Sequence, residues 1–541
     1  MLIRFRKIII SVFVFSILPS GFLLAQSGSG ATFSTGLLLV AAVVILTAIY
    51  LVSENLLGIE AHQIGKEVET SGSGSLKSKV AGVKVPPYVK GHFTKLTKGH
   101  NILLKGAPSD EVSDVRVTSF AIQPGNFIAM SPIPKVVLNE GDEVLAGQEI
   151  FFDKKRPEIK YVSPVSGELV AINRGEKRSI AEVVILADKV QKYKQLPKID
   201  LSSISRDDLV TFLLESGGWT MIRQRPYDIV ADPTVIPDNI FISTFDTAPL
   251  APNADIVIKG QEAAFQAGID ILARLTGGQV HLGLNANGNT APSQAFTEAK
   301  NAEKHWFKGP HPAGNVGIQI HHIKPISSKD QVWVLGVQET ITLGKLITEQ
   351  RFDASRIVAI GGESVKSPKH VRTILGAKLA DILADQGVEE NDRIISGDVL
   401  SGQAKKMDSF LNYYDDQISI IPEGKEYELF GWLLPLKLRP SISSTFPGSF
   451  IKDLQYSVNT NTHGEGRAFV VTGQYEHLLP MNIYLQHLMK AILTKDFERM
   501  EGLGILELSE EDVALCEFAC TSKQPLQHIL RSGLDLMQEQ G

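Results

Sequence analysis

Lys308-Gly-Pro-His-Pro-Ala-Gly-Asn-Val-Gly-Ile-Gln-Ile-His-His-Ile-Lys-Pro325 decides how the central part of this chain is read. Two prolines and two glycines between Gly309 and Gly314 specify a tight, non-helical turn. Val316, Ile318 and Ile320 then alternate along one face, so a strand is expected over Val316–His322. His311, His321 and His322 bracket it, three of the 13 histidines in the chain. A cramped loop at the end of a buried strand is where α/β domains place ligands and partners. His311, Pro312, Gly314, His321 and His322 are therefore the candidate contact residues. The plainer reading is a structural turn with polar edge histidines. No catalytic residue and no metal-ligand set is assigned.

Residues 205–365 surround this stretch with an α/β pattern. Strands are expected at Asn239–Phe245, Gln279–Leu284, Val316–His322, Val332–Val337 and Ile357–Ile360. Helices are expected at Gly260–Leu275, Ser293–Ala302 and Glu339–Glu349. Such alternation predicts a layered, largely parallel sheet. A dinucleotide fingerprint would place Gly-x-Gly-x-x-Gly between strand and helix, and none stands there. Its place is taken by Glu215-Ser-Gly-Gly-Trp-Thr-Met-Ile-Arg-Gln-Arg225, where two glycines meet a bulky Trp219. Fewer glycines leave less close backbone approach to a phosphate. Arg223 and Arg225 could hold an anion; a solvated or salt-bridged pair is the plainer reading.

On the amino-terminal side, residues 118–190 alternate with period two and are punctuated by glycine. Val137–Ile150 and Val162–Ile172 look like the flattened barrel of biotinyl and lipoyl carrier domains. Asp153-Lys154-Lys155 stands near the hairpin of a carrier lysine, but no Met-Lys-Met motif occurs and Ser163 is displaced from the lipoyl spacing. The module is read as structural. On the carboxyl side, helical spacing over Val371–Gln386 ends at Gly387. Short strands follow at Asp392–Gly402, Ile418–Ile421 and Tyr427–Leu433, a pattern expected of a β-grasp module. After Pro480 the pattern is helical, with Cys516 and Cys520 on one helix face as core thiols.

Two cysteines in 541 residues exclude a disulfide framework and a self-contained iron–sulfur cluster. A net charge of −6 gives no nucleic-acid-binding surface. Arg4, Arg6 and Lys7 precede an apolar run from Ile8 to Leu18, so residues 1–25 read as a signal peptide or a first transmembrane segment. Phe33–Val52 is uncharged and long enough to span a hydrocarbon core of about 30 Å. The spacer before it has no basic residue, whereas Lys66, Lys77, Lys79, Lys84, Lys90, Lys95 and Lys98 follow it. The main domains are thus expected in the cytoplasm, anchored at the inner membrane. The expected organisation is 1–25, a transmembrane helix at 33–52, a tether at 53–92, the carrier-like barrel at 93–200, the α/β domain at 201–366, the β-grasp module at 367–440 and a mostly helical domain at 441–541.

Taken in this order, the chain from Phe93 to Gly541 resembles the A-subunit family of bacterial Na⁺-translocating NADH:quinone oxidoreductases. The resemblance is carried by Leu96-Thr-Lys-Gly-His-Asn-Ile-Leu-Leu-Lys-Gly-Ala-Pro108, Gly218-Trp-Thr-Met-Ile-Arg-Gln-Arg-Pro226, Asp246-Thr-Ala-Pro-Leu-Ala-Pro252 and Gly309-Pro-His-Pro-Ala-Gly314. It implies a six-subunit membrane complex that oxidises NADH, reduces quinone and pumps Na⁺. It implies a layout similar to the flavin subunit of respiratory complex I and to the cluster-bearing subunit of Rnf complexes. The flavin loop of those relatives is reduced here to Gly217-Gly218-Trp219, and of the cysteine runs only Cys516 and Cys520 remain. NADH, FAD, FMN, riboflavin and iron–sulfur chemistry are accordingly expected in other subunits, with no cofactor bound by this chain. The partners implied are those subunits, the membrane, and quinone at the His311 turn. A scaffold without quinone contact, or a subunit of an Rnf-type complex, is the alternative. Members of the resembling family are usually peripheral cytoplasmic proteins, so an N-terminal anchor departs from the family pattern.

Overall fold

The structure is a computed structural model that describes Leu46 and residues 85–426, 438–442, 451 and 453–540. Apart from Leu46, the segments expected at 1–25 and 33–52 lie outside the described residues, as do most of the tether and the strand expected at Tyr427–Leu433. Among the described residues no helix is long and apolar enough to cross a membrane.

A seven-stranded sheet organises the unit Val85–Gly541. Its strands are β1 (His92–Lys95), β2 (Arg223–Arg225), β3 (Ile229–Val230), β4 (Asn239–Ser243), β5 (Gln279–Asn285), β6 (Glu303–Lys308) and β7 (Val332–Leu335). They lie in the order β1-β6-β5-β4-β7-β2-β3. The first five in that order are parallel, β2 is antiparallel to β7, and β3 is antiparallel to β2. Ile240, Phe241 and Ile242 in β4 and all of β7 are buried, as a sheet covered on both faces requires. The main covering helices are α1 (Arg206–Ser216), α2 (Glu262–Leu275), α3 (Val316–Ile323) and α4 (Val337–Thr348). Gly268 and Gly344 let α2 and α4 meet backbone to backbone, because a Cβ on either would overlap a carbonyl oxygen of the other helix.

The strand expected over Val316–His322 is instead the helix α3. Its residues Val316 to Ile320 are all buried. Val316 and Ile320, one turn apart, pack on Phe241, Val332 and Val334 of the sheet, while Ile318 joins a second cluster with the carboxyl-terminal helices. A helix buried on two sides is apolar nearly all round, so its sequence imitates strand alternation. The strand that ends at the turn is β6, which precedes it. The helix expected at Ser293–Ala302 contracts to Gln294–Thr297.

The barrel-sandwich module consists of two small sheets. One contains Ser119–Ile122, Ile180–Ala187, Gly167–Arg174 and Glu143–Val144; the other contains Lys135–Val136, Glu149–Asp153 and Arg156–Val162. Lys154 and Lys155 form the turn between the last two strands. Phe151 and Tyr161, opposite each other on the last two strands and stacked at 5.0 Å, are both buried.

A six-stranded mixed sheet follows. It takes Ser355–Gly361, expected in the first sheet, together with Lys369–Ile374, Asp392–Ser396, Gln403–Lys405, Gln417–Pro422 and the distant Ser109–Asp114. The helix expected over Val371–Gln386 is therefore a strand followed by the short helix Leu379–Ile382. Gly376, at φ +70°, turns the chain between them where no side chain fits against Ala121. The carboxyl-terminal helices include α5 (Leu485–Leu493), α6 (Glu510–Ala519) and α7 (Leu526–Gln540). Cys516 and Cys520 are buried and unbridged among them.

Candidate functional site

The first sheet, the six-stranded sheet and α6 meet around a cleft of about 290 Å³. It opens at the carboxyl ends of β4 and β7, where open α/β sheets bind ligands. Asp246, Ala248 and Pro252 form one wall, and His311, Gly314 and the start of α3 form the next. Gly397–Gly402, Tyr414–Gln417 and Glu511 close it.

The His311 turn is held from three sides. His311 N–H donates to Asn101 Oδ1 at 2.7 Å, and His100 N–H donates to the His311 carbonyl at 2.8 Å. Gly99, at φ +111°, has no room for a Cβ against that same carbonyl. Gly314 N–H donates to Thr247 Oγ1 at 3.0 Å, and Ser243 Oγ donates to the Gly314 carbonyl at 2.8 Å. The stretches 96–108, 246–252 and 309–314, far apart in sequence, thus interlock here. Gln417 Nε2 donates to the Pro249 carbonyl at 2.8 Å, which fastens the 246–252 loop to the six-stranded sheet.

His311 is 4% exposed. Its Nδ1 lies 3.2 Å from Thr247 Oγ1, and its Nε2 is buried without a hydrogen-bond partner among the described residues. Because Thr247 Oγ1 already accepts from Gly314, its own proton can turn to Nδ1. That arrangement makes Nε2–H an unused donor. Burial lowers the pKa of His311 against the opposing pull of Asp246, and burial raises that of Asp246. Both shifts move the pair toward its neutral forms. A buried neutral donor beside a cleft suits a neutral acceptor such as a carbonyl oxygen.

Two wholly buried arginines brace the cleft. Arg225 of β2 lies 3.4 Å from Asp228, 3.2 Å from Glu511 and 3.5 Å from Asp512. Arg356 lies 2.6 Å from Glu339 of α4 and 3.0 Å from Asp416. Burial nevertheless pushes both Asp416 and Glu511 up to about 7. Arg223 pairs with Asp228 at 2.9 Å, so both arginines anticipated near the glycine pair are salt-bridged.

The Gly217-Gly218-Trp219 segment is packed solid. A Cβ at Gly217 would overlap Val162, and one at Gly218 would overlap Leu346. Trp219 is fully buried, donates Nε1–H to the Ala231 carbonyl at 2.8 Å, and meets Trp333 edge-on at 5.3 Å. Aromatic and aliphatic side chains fill the space that a flavin phosphate cradle would need, so these residues do not fit that group.

Of the five residues picked from sequence, His311 and Gly314 line the cleft and Pro312 is buried within the turn. His321 and His322 are not brought to it. They sit in the last turn of α3, where His321 Nδ1 is 2.7 Å from Glu507 and its Nε2 accepts from Asn482 N–H at 3.2 Å. His322 Nε2 donates to the Pro480 carbonyl at 2.8 Å. Sequence reasoning missed Thr247, Arg225, Asp416 and Glu511 as parts of one site. The motif Asp246–Pro252 was the only signal for the first of them.

Residues 94–188 match the family model described as NqrA N-terminal barrel-sandwich hybrid domain. Residues 204–352 match the NqrA second alpha/beta domain, and residues 357–406 match the NQRA C-terminal domain. Among similar proteins, the A-subunit of the Na(+)-translocating NADH-quinone reductase of Klebsiella pneumoniae is 38% identical over 455 residues, covering 83% of this chain and 100% of that protein. The protein of the same name from Neisseria meningitidis serogroup B is 37% identical over 452 residues at the same coverage. That from Yersinia pestis is 38% identical over 454 residues. A solved NAD⁺-reducing [NiFe]-hydrogenase chain aligns with 41% of this chain and 50% of its own length, at 13% identity and a TM-score of 0.28.

Proposed function

The chain belongs to the A-subunit family of the Na⁺-translocating NADH-quinone reductases, and from that membership we propose that its own task is to dock neighbouring subunits and bind a quinone head group, without a redox cofactor of its own. It is a subunit of an oxidoreductase complex, so the other subunits of that complex are its partners. NADH oxidation and the FAD, FMN, riboflavin and iron–sulfur centres are assigned to those partners. The filled Gly217–Trp219 segment supports this, as does a cysteine count of two. The main domains face the cytoplasm at the inner membrane, with residues 33–52 as the anchor. The lysines downstream of that span support this orientation.

One observation carries the quinone assignment: His311 Nε2 is buried in the cleft wall with no partner among the described residues. A quinone oxygen supplies the acceptor that this N–H lacks; His311 delivers a proton to the reduced oxygen only after it has itself taken one up at the other ring nitrogen, so that the imidazolium gives its Nε2 proton and returns to the neutral ring. A scaffold without quinone contact is the second reading. It is favoured by the ion pairs of Arg225 and Arg356, which use the same region to lock separate parts of the chain together.

The test is kinetic, on the assembled complex. His311→Leu removes the donor and should raise the quinone KM by roughly 2–10-fold, the worth of one hydrogen bond to a neutral acceptor. Assembly and NADH oxidation with an artificial acceptor should be unchanged. His311→Gln keeps a donor without a titratable group, so it separates hydrogen bonding from proton delivery. Quinone kinetics and quinone-site inhibitor binding unchanged in assembled His311→Leu would leave the scaffold reading.

A further inference from the structure

At the opposite end of the sheet from the cleft, near the amino termini of β5 and β6, three ligand atoms converge. His281 Nδ1 is 3.0 Å from His305 Nε2 and 3.5 Å from Glu303 Oε2, and His305 Nε2 is 3.9 Å from Glu303 Oε2. The parallel register causes this: His281 stands opposite Glu303, and His305 is two residues further along the same face. A tetrahedral ion with bonds of about 2.1 Å has its ligand atoms about 3.4 Å apart. The three separations straddle that value. Two imidazoles and a carboxylate form a set that holds zinc while leaving a position open.

The surroundings prepare these atoms for an ion. Asn239 Oδ1 accepts from Gln279 N–H at 3.3 Å, which fixes its amide oxygen toward the sheet. His281 Nε2 lies 3.1 Å from that oxygen and is therefore the protonated nitrogen, leaving Nδ1 as a lone pair. Such a hydrogen bond from the far nitrogen is how metal-bound histidines are oriented. Phe241 stacks on His281 at 4.8 Å and His92 stacks on His305 at 5.3 Å, so both rings are held in place. His92 Nε2 is 3.3 Å from the other carboxylate oxygen of Glu303. His281 and His305 are 7% and 8% exposed. Glu303 reaches solvent and borders a cavity of about 780 Å³, which gives an ion a route in.

The geometry points to a zinc-class divalent metal site formed by His281, His305 and Glu303, with Asn239 orienting His281 and His92 steadying Glu303. Bound there, an ion takes the place of the proton between the two imidazoles, which moves to Nδ1 of His305 so that both rings stay neutral, and it brings the carboxylate into the same contact. It ties β5 to β6 beside β1, the strand through which the chain enters this sheet. This inference does not depend on the quinone reading.

The experiment uses the full-length chain without a histidine tag, stripped with a chelator and titrated with Zn²⁺ by calorimetry. Co²⁺ serves as the spectroscopic probe. One ion per chain is expected, with Co²⁺ ligand-field bands that show nitrogen coordination and with thermal stabilisation by Zn²⁺. Glu303→Gln, at a half-exposed position that leaves the fold intact, and His305→Gln should each weaken Zn²⁺ binding by more than about 100-fold. Asn239→Ala, which removes the acceptor of His281 Nε2 and of Gln279 N–H but no metal ligand, should weaken it by about 10–100-fold. Circular dichroism of the metal-free variants separates lost binding from lost folding. Absence of stoichiometric binding to the wild type would overturn the site, as would unchanged affinity in folded Glu303→Gln and His305→Gln.

Discussion

Replacing Gly314 by valine probes the shape of the site without touching a titratable group. A Cβ at this position would stand 2.7 Å from Thr247 N, 2.8 Å from Asp246 Cα and 2.9 Å from Asp246 C. All three are backbone atoms of the 246–252 loop, so no side chain can rotate away. Restoring ordinary contact requires the loop to retreat by about 0.7 Å for Cβ alone, and the two Cγ atoms of valine require more. Overpacking of this kind costs about 1–3 kcal/mol. The retreat also stretches the Gly314–Thr247 and Ser243–Gly314 hydrogen bonds, each worth about 0.5–1.5 kcal/mol. Gly314→Val should therefore destabilise the chain by about 2–5 kcal/mol. The assay is the midpoint of the first urea transition of the full-length chain, with exposed Lys329→Ala as a control expected within about 0.5 kcal/mol of the wild type. A Gly314→Val midpoint equal to that control would refute the close approach of turn and loop.

Three further outcomes are expected. Arg225→Met leaves Asp512 without its buried cation and Asp228 with Arg223 alone, and should cost about 3–5 kcal/mol in urea unfolding; a loss below about 1 kcal/mol would mean that the arginine is not the brace described. Asp416, ordinarily near 4 and raised to about 7 by burial, holds a proton in the fold that the unfolded chain lacks between those values, so its contribution to stability falls as pH rises from about 4 to about 7. Asp416→Asn should flatten that part of the stability–pH curve, and an unchanged slope would show that Asp416 titrates normally. His321→Gln loses its contact with Glu507 and should lower stability by about 1–3 kcal/mol while leaving quinone kinetics untouched; a changed quinone KM would return the end of α3 to the site.

The turn at 309–314 is legible in the sequence because proline and glycine restrict the backbone locally, whatever surrounds them. Its neighbourhood is less so. Alternation at Val316, Ile318 and Ile320 reads as a strand because period two over three residues also describes a helix buried on opposite sides. The true strand, Glu303–Lys308, carries charges at both ends that mask its buried centre His305–Phe307. The loop does end a strand, although that strand comes before it. Barrel and parallel sheet are readable from period and glycine spacing, whereas nothing local assigns Ser109–Asp114 to a sheet whose other strands begin at Ser355. Site electrostatics are hidden for the same reason. Arg225 and Asp512 lie 287 positions apart, and only the fold brings them within 3.5 Å.

The most direct measurement is a structure of the assembled complex with a bound quinone analogue. The head group is expected in the cleft between the 246–252 loop and the start of α3, with one of its oxygens about 3 Å from His311 Nε2. A head group bound only elsewhere in the complex, with the His311 cleft unchanged from the free chain, would contradict the quinone role assigned to this chain.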